Sequence, residues 1–216
     1  MKFKKATLSI FLILTFFIST ISLSSASAVS TVDYSGAVVR MKQLGIVNAA
    51  VVSNAMTRGQ FATAVIVAAD LGNEATSMRG STIFPDVASN SALSGYVNVL
   101  VSKGLISGMA DGKFNSATAI TYKEICSVLV KLLGYVDTDL TGTYPSNYIS
   151  KAKSLNISEN LSYNKDDRVT YRAVAVMFDR LLDTNIKNAS GASTAAVTYS
   201  NSINLYTDCI VQDNSV

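Results

Sequence analysis

The chain contains no histidine and only two cysteines among its 216 residues. Without histidine, Ser-His-Asp catalysis, Cys-His catalysis and ordinary His-rich zinc sites are excluded. Cys126 and Cys209 are too few for a disulfide scaffold or for a structural zinc site. We therefore expect no metal and no cofactor. Cys126 falls on an apolar helix stripe and is interpreted as a semi-buried thiol, with pairing to Cys209 left open.

An excess of charge of one sign is also absent once the first residues are set aside. Lys2, Lys4 and Lys5 precede an apolar run from Leu8 to Ile18 and the small residues 26–28, a pattern typical of a secretory leader. A membrane anchor is the weaker alternative, because the apolar run has 11 residues and a membrane-spanning helix needs about 20. Removal of a signal peptide at 1–28 leaves 15 basic and 15 acidic residues. We expect an exported chain with no membrane span after cleavage and no nucleic-acid partner.

Three helix starts in the chain are similar to one another. They are Met56-Thr57-Arg58-Gly59-Gln60, Ile120-Thr121-Tyr122-Lys123-Glu124 and Val169-Thr170-Tyr171-Arg172-Ala173. Self-similarity at a period of about fifty residues indicates small modules that bury a core only by stacking on their copies. The sequence predicts a mainly α fold with three helix-loop-helix repeats, at 29–78, 79–138 and 139–187.

Each threonine of these starts fits a helix N-cap. Gln60 and Glu124 complete a capping box, whereas Ala173 leaves the third box incomplete. Apolar residues recur at helical spacing, and glycine or proline marks the boundaries. This pattern predicts helices at about 32–44, 57–72, 93–103, 121–133, 146–155 and 170–182. Residues 188–216 read as a flexible linker followed by a strand-like tail, with one or two strands within 197–211.

The second repeat carries the most informative motifs. Phe84-Pro85-Asp86-Val87 is followed by KGLISG, DGKFN and ITYKE. This order resembles an S-layer homology repeat, whose usual pattern is a Phe-x-Asp-Val start, an Asp-Gly-x-Phe loop and an Ile-Thr-Arg-Ala-Glu helix start. MTRGQ and VTYRA resemble the last motif in repeats one and three. The resemblance covers about residues 30 to 187, and it implies a pseudo-threefold arrangement of the repeats around a central helix bundle.

The same resemblance implies a function. Members of this family anchor exported proteins to the bacterial cell wall by binding secondary wall polysaccharide, commonly pyruvylated, in grooves between repeats. A noncatalytic anchoring module at the cell wall or S-layer is therefore expected. The alternative is an S-layer or surface structural protein that acts by self-association or protein contacts, and the oligomeric state is open. An exported carbohydrate-active enzyme would need two apposed acids, and Asp166, Asp167 and Asp179 form no such pair.

The repeat register also gives candidate ligand contacts. Arg58 occupies the family's arginine position, where a guanidinium at a helix N-terminus suits a carboxylate. Tyr122 and Tyr171 occupy the matching positions and either stack on a sugar or simply pack. Gly108 and Asp111 are either ligand contacts or turn residues. The full candidate set is Arg58, Tyr122, Lys123, Tyr171, Arg172, Gly108 and Asp111. With a single family arginine, we expect at most one complete groove or an altered ligand preference.

Overall fold

The computed structural model describes residues 31–187 and 198–202. Within these ranges every regular element is helical, and β-structure is limited to isolated bridges. The prediction of a mainly α fold is thus confirmed. The predicted leader, the predicted linker after Lys187 and Cys209 lie outside the described residues. Among the described residues, none of the helices combines the length and apolar content that a membrane crossing requires.

The helices follow the predicted order. They are α1 Tyr34–Gln43, α2 Arg58–Ala68, α3 Gly72–Ser77, α4 Ala92–Ser102, α5 Tyr122–Leu132, α6 Ser146–Ser154, α7 Tyr171–Leu182 and α8 Tyr199–Ser202. A 3-10 turn lies at Asp137–Asp139. Most predicted bounds agree within two residues, but α2 ends early because Asp70 adopts a left-handed conformation with φ of 52°. The chain then begins α3 at Gly72, a short helix that the sequence analysis did not predict.

The structure describes five residues of the tail, for which one or two strands were predicted within 197–211. Residues 199–202 form a short helix, and the rest of the predicted strand segment lies outside the described residues. The Tyr199 side chain is 3% exposed, and α8 packs on α7. Thr198 forms an isolated bridge with Asn185. Burial of this tyrosine against the end of α7 overrides the weak β-propensity of the segment.

The helices pair between predicted repeats. The second helix of each repeat packs on the first helix of the next one, so that α2 pairs with α4, α5 with α6, and α7 with α1. Arg40 of α1 contributes to the last pairing through ion pairs with Asp179 (2.8 Å) and Asp183 (2.9 Å) near the end of α7. The predicted repeats therefore share one core, as stacked modules that are too small to fold alone must do.

A closed ring of backbone hydrogen bonds joins the three helix starts. The Met56 N–H donates to Val169 O (2.9 Å), the Val169 N–H donates to Ile120 O (3.3 Å), and the Ile120 N–H donates to Met56 O (2.9 Å). All three side chains are at most 3% exposed. The ring ties the repeats together directly before their second helices. The pseudo-threefold arrangement of the complete repeats around a central bundle stays a prediction.

The structure shows the predicted helix caps at Thr57 and Thr121 and a buried thiol at Cys126. In the first box the Thr57 N–H donates to Gln60 Oε1 (2.8 Å), and the Gln60 N–H donates to Thr57 Oγ1 (3.3 Å). The Thr170 hydroxyl is buried and has no hydrogen-bond partner among the described residues, in keeping with the incomplete third box. Cys126 is a buried thiol on α5, and burial raises its pKa to about 12.

Candidate functional site

A cavity of about 490 Å³ lies beside the N-termini of α2 and α5. Its wall combines residues of all three predicted repeats, so the cavity requires the assembled repeats. The lining residues are Arg58, Gly104, Leu105, Ile106, Ser107, Gly108, Met109, Ala110, Ile120, Lys123, Glu124, Ser127, Val128, Lys131, Asp137, Tyr144 and Tyr148.

Arg58 is the most strongly engaged residue of this wall. Its side chain is 6% exposed and lies over the Phe114 ring, with Cζ 4.9 Å from the ring centroid. Nε donates to Phe114 O (2.9 Å), Nη2 donates to Ser107 O (3.0 Å), and Nη1 forms an ion pair with Glu124. Three of the five guanidinium N–H groups are thus bound to the second repeat, and Arg58 joins repeats one and two.

Glu124 has two roles at the start of α5. Its Oε2 accepts hydrogen bonds from the Thr121 N–H (2.9 Å) and from the Thr121 hydroxyl (2.6 Å). Its Oε1 forms the ion pair with Arg58. The predicted capping role is confirmed, and the same carboxylate also holds the arginine of the neighbouring repeat. Both of its oxygens are therefore engaged by protein groups.

Two lysines line the cavity from one face of α5. Lys123 pairs with Asp166 (2.6 Å), and this contact lowers the pKa of the Asp166 carboxyl. Lys131 donates to Gly104 O (2.9 Å) and has no carboxylate within ion-pair distance in the described part of the chain. The sequence analysis missed Lys131. Its separation of eight residues from Lys123, two i,i+4 steps along one helix face, was the signal that could have found it.

Gly108 and Asp111 come from the loop that carries the DGKFN motif. Gly108 lines the cavity, and a Cβ there would lie 2.5 Å from Cε1 of Phe84. Glycine is therefore required for the close approach of the Phe84 ring. Asp111 is exposed and does not line this cavity. Its carboxylate accepts from the Lys113 N–H (3.0 Å) and the Asn115 amide (2.9 Å), which are turn contacts.

Tyr122 occupies the position of Arg58 at the next repeat junction. It is fully buried, its hydroxyl donates to Ser158 Oγ (2.8 Å), and its ring stacks on Tyr163 with centroids 5.7 Å apart. A ring without exposed surface offers no face to a sugar. The repeat register matched this tyrosine to the position of Arg58, and the residues of the third repeat bury it there.

Tyr171 and Arg172 lie at the third junction, away from the cavity. Tyr171 is 7% exposed, and the Arg172 guanidinium lies over the Tyr34 ring of α1, 5.1 Å from its centroid. Neither residue lines the cavity. Of the seven candidate contacts, the structure brings three to this cavity: Arg58, Lys123 and Gly108.

Asp86 is a structural residue of the site whose role the sequence analysis did not assign. Its carboxylate accepts from the backbone N–H groups of Phe114 (2.9 Å) and Asn115 (2.8 Å). Burial raises the pKa of Asp86, but these two hydrogen bonds outweigh it and leave the pKa below its usual value. The FPDV motif thus holds the DGKFN loop against the cavity wall.

We expect Asp86→Ala to lower the free energy of unfolding by about 1 kcal/mol at pH 7, because two loop N–H groups lose their acceptor. A carboxyl with a lowered folded-state pKa stabilises the fold above its unfolded-state pKa, and this contribution is lost as the pH falls through the folded-state pKa. The difference between wild type and variant should therefore shrink below about pH 4. Urea titrations from pH 7 to pH 2 measure it, with exposed Glu159→Ala as the control. A difference that is independent of pH would contradict the assignment.

In the described ranges no group of three or more His, Cys, Asp or Glu side chains is arranged to hold a metal ion. The chemistry of the cavity is that of three cationic side chains, two carboxylates and two tyrosines. Such a wall can bind a polar or anionic ligand through charge-assisted hydrogen bonds.

Part of the chain that lines the cavity matches a known protein family. Residues 83–126 match the family model described as the S-layer homology domain. This segment of the chain is thus similar to an S-layer homology domain. It includes the FPDV turn, α4, the DGKFN loop and the first part of α5. S-layer homology domains bind components of the cell wall.

Several curated proteins are similar to the chain. It is 33% identical over 111 residues to a middle cell wall protein of Brevibacillus brevis, and 32% identical over 107 residues to a surface layer protein of Brevibacillus choshinensis. These matches cover 51% and 50% of this chain and 10% of each relative. A cell surface protein of Thermoanaerobacter kivui is 28% identical over 158 residues, which cover 69% of this chain and 20% of the relative. The chain thus spans about a tenth of the length of the first two relatives.

The family match and the names of the relatives indicate a location at the bacterial cell surface, in the cell wall or the S-layer. They support a cell-surface anchoring or S-layer role.

Proposed function

We propose that this chain is a noncatalytic wall-anchoring module that binds secondary cell-wall polysaccharide in the cavity between its repeats. The observation that carries the proposal is the origin of the cavity wall. The segment that matches the S-layer homology domain supplies most of the lining, through residues 104–110, 120, 123 and 124. The segment that matches the family therefore forms most of the cavity wall.

The charges of the cavity favour a ligand that carries carboxylates, such as a pyruvylated polysaccharide. Arg58 and Lys123 are paired with Glu124 and Asp166, whereas Lys131 has no carboxylate within ion-pair distance in the described part. An ammonium group that is free of a carboxylate can bind an anionic substituent without first breaking an ion pair. Lys131 is therefore the residue that we propose to bind the acidic group of the polymer.

The carboxylates of the cavity support a noncatalytic role. Glycoside hydrolysis uses two carboxyl groups on either side of the scissile bond. Both oxygens of Glu124 are engaged by Arg58 and Thr121, and Asp137 is the one other acid that lines this cavity. A pair of acids available to a substrate is thus missing from the cavity lining.

Co-sedimentation with bacterial sacculi tests the proposal. The chain without residues 1–28 should pellet with native sacculi and stay in the supernatant with acid-stripped sacculi, which lack the secondary polymer. Equal pelleting with both preparations, or with neither, would contradict polysaccharide binding.

The alternative function is a structural role in the S-layer through self-association. The name of the Brevibacillus choshinensis relative, a surface layer protein, favours it. Sedimentation velocity of the purified chain, without wall material, separates the two functions. Large assemblies that form without polymer would support the structural role, and a species that stays small would support wall binding.

A further inference from the structure

Tyr144 is the single exposed aromatic side chain in the part of the chain that the structure describes. It is 53% exposed, whereas the other described Tyr and Phe side chains are buried or half-buried. Tyr144 lies directly before α6 and lines the cavity. A flat aromatic ring that is half open to solvent at the edge of a polar cavity offers a stacking surface to a ligand. The two tyrosines that the repeat register predicted for this role are buried.

Tyr148 lies beside Tyr144 in the same cavity wall. The two rings are in edge contact, with centroids 6.3 Å apart and planes inclined by 67°. Tyr148 is 1% exposed, and its buried hydroxyl has no partner within hydrogen-bond distance among the described residues, although the Asp137 carboxylate is close enough to interact with it. Buried tyrosine hydroxyls usually have a partner, so this one points to a ligand atom that completes the site.

The protonation state of Tyr148 determines that its hydroxyl can donate to a ligand. Burial, together with the Asp137 carboxylate, raises the pKa of the hydroxyl. The group is therefore protonated at any physiological pH and can donate a hydrogen bond. A ligand oxygen can accept this hydrogen bond, and an apolar face of the same ligand can cover the Tyr144 ring.

We propose that Tyr144 and Tyr148 form a subsite for one pyranose unit. The apolar C–H face of the sugar stacks on Tyr144, and an oxygen of the same sugar accepts a hydrogen bond from the Tyr148 hydroxyl. Pyranose rings present both features side by side. The inference rests on the proposed function for the polymer to which the sugar belongs, but the subsite itself can be tested with free sugars.

Saturation-transfer NMR with methyl glucoside, methyl N-acetylglucosaminide and methyl glucuronide as probes tests the subsite. Wild type and Tyr144→Phe should transfer saturation to the ring protons of at least one probe. Tyr144→Ala should weaken its binding about fivefold, because the stacking surface is lost. Val39→Ala removes an equally exposed apolar side chain (55%) away from the cavity and should leave binding unchanged.

Tyr148→Phe separates a ligand role from a packing role. The change removes a hydroxyl that has no described partner and keeps the ring, so the fold should be as stable as wild type or slightly more stable. Binding of the sugar should nevertheless fall about fivefold. Thermal unfolding and saturation transfer are measured on the same samples. A variant that binds as tightly as wild type would overturn the role of the hydroxyl.

The outcomes for the subsite and for wall binding are distinct. Absence of transfer to every probe, or undiminished transfer in Tyr144→Ala, overturns the subsite whether or not sacculi bind the chain. Failure to pellet with native sacculi, together with transfer that depends on Tyr144, overturns the wall function and leaves the pyranose subsite supported.

Discussion

Arg58→Ala is expected to lower the free energy of unfolding by about 3 kcal/mol, because breaking a buried ion pair leaves the partner charge uncompensated. Arg58 is 6% exposed, and the side chain of its partner Glu124 is 18% exposed. The change also removes the donors to Phe114 O and Ser107 O. Urea unfolding followed by circular dichroism measures the loss.

Two further variants control this experiment. Arg79→Ala removes an exposed arginine and should change stability by less than about 0.5 kcal/mol. Glu124→Gln in the Arg58→Ala background should restore part of the lost stability, since the residue left unpaired then carries no charge. A loss below about 1 kcal/mol for Arg58→Ala would show that the junction between repeats one and two does not depend on this arginine.

Lys131→Gln should weaken binding of the soluble, acid-released wall polymer about tenfold, which corresponds to the loss of one hydrogen bond to a charged group. Stability should change little, because Lys131 makes a single hydrogen bond to Gly104 O and a distant contact with the Tyr148 ring (5.7 Å). Isothermal titration calorimetry at two salt concentrations gives the affinity and its dependence on ionic strength.

The matched control for Lys131 is Lys113→Gln. Lys113 is exposed on the DGKFN loop and does not line the cavity, so this variant loses the same charge elsewhere. It should bind like wild type, and its affinity should keep the wild-type dependence on salt. Equal affinities for wild type and Lys131→Gln would remove the ammonium group from the proposed anion contact.

The helices could be predicted because their signals are local. Thr57, Thr121 and Thr170 directly precede α2, α5 and α7, and the apolar periodicity after each threonine predicted a helix of the right length. The pairing of the helices could not be predicted in the same way. Which helix covers which apolar face depends on contacts between distant segments, such as those between α1 and α7.

The site was predictable only where the motif itself forms it. Arg58 and Lys123 belong to helix starts that align between repeats, Gly108 belongs to the KGLISG motif of the second repeat, and all three line the cavity. Tyr144 and Tyr148 enter from the third repeat, and no short motif marks them. Their place in the cavity follows from the packing of α6 on α5, which the sequence pattern does not encode locally.

Equivalent positions of the repeats have diverged in chemistry. At the first junction an arginine forms an ion pair with Glu124 and lies over Phe114. At the second junction, the Tyr122 hydroxyl donates a hydrogen bond to Ser158, and the Tyr122 ring stacks on Tyr163. The second arrangement fills its junction with aromatic side chains. This difference supports, as a proposal, one complete groove rather than three equivalent grooves.

Native-state hydrogen exchange at the amides of Met56, Ile120 and Val169 most directly tests the claim that the repeats close into one unit and so create the cavity. Since each amide donates to the next repeat start in the ring, all three should exchange only on global unfolding, with opening free energies that agree within about 1 kcal/mol. Exchange of one of them through an independent, low-energy opening, while the other two stay protected, would contradict the closed unit.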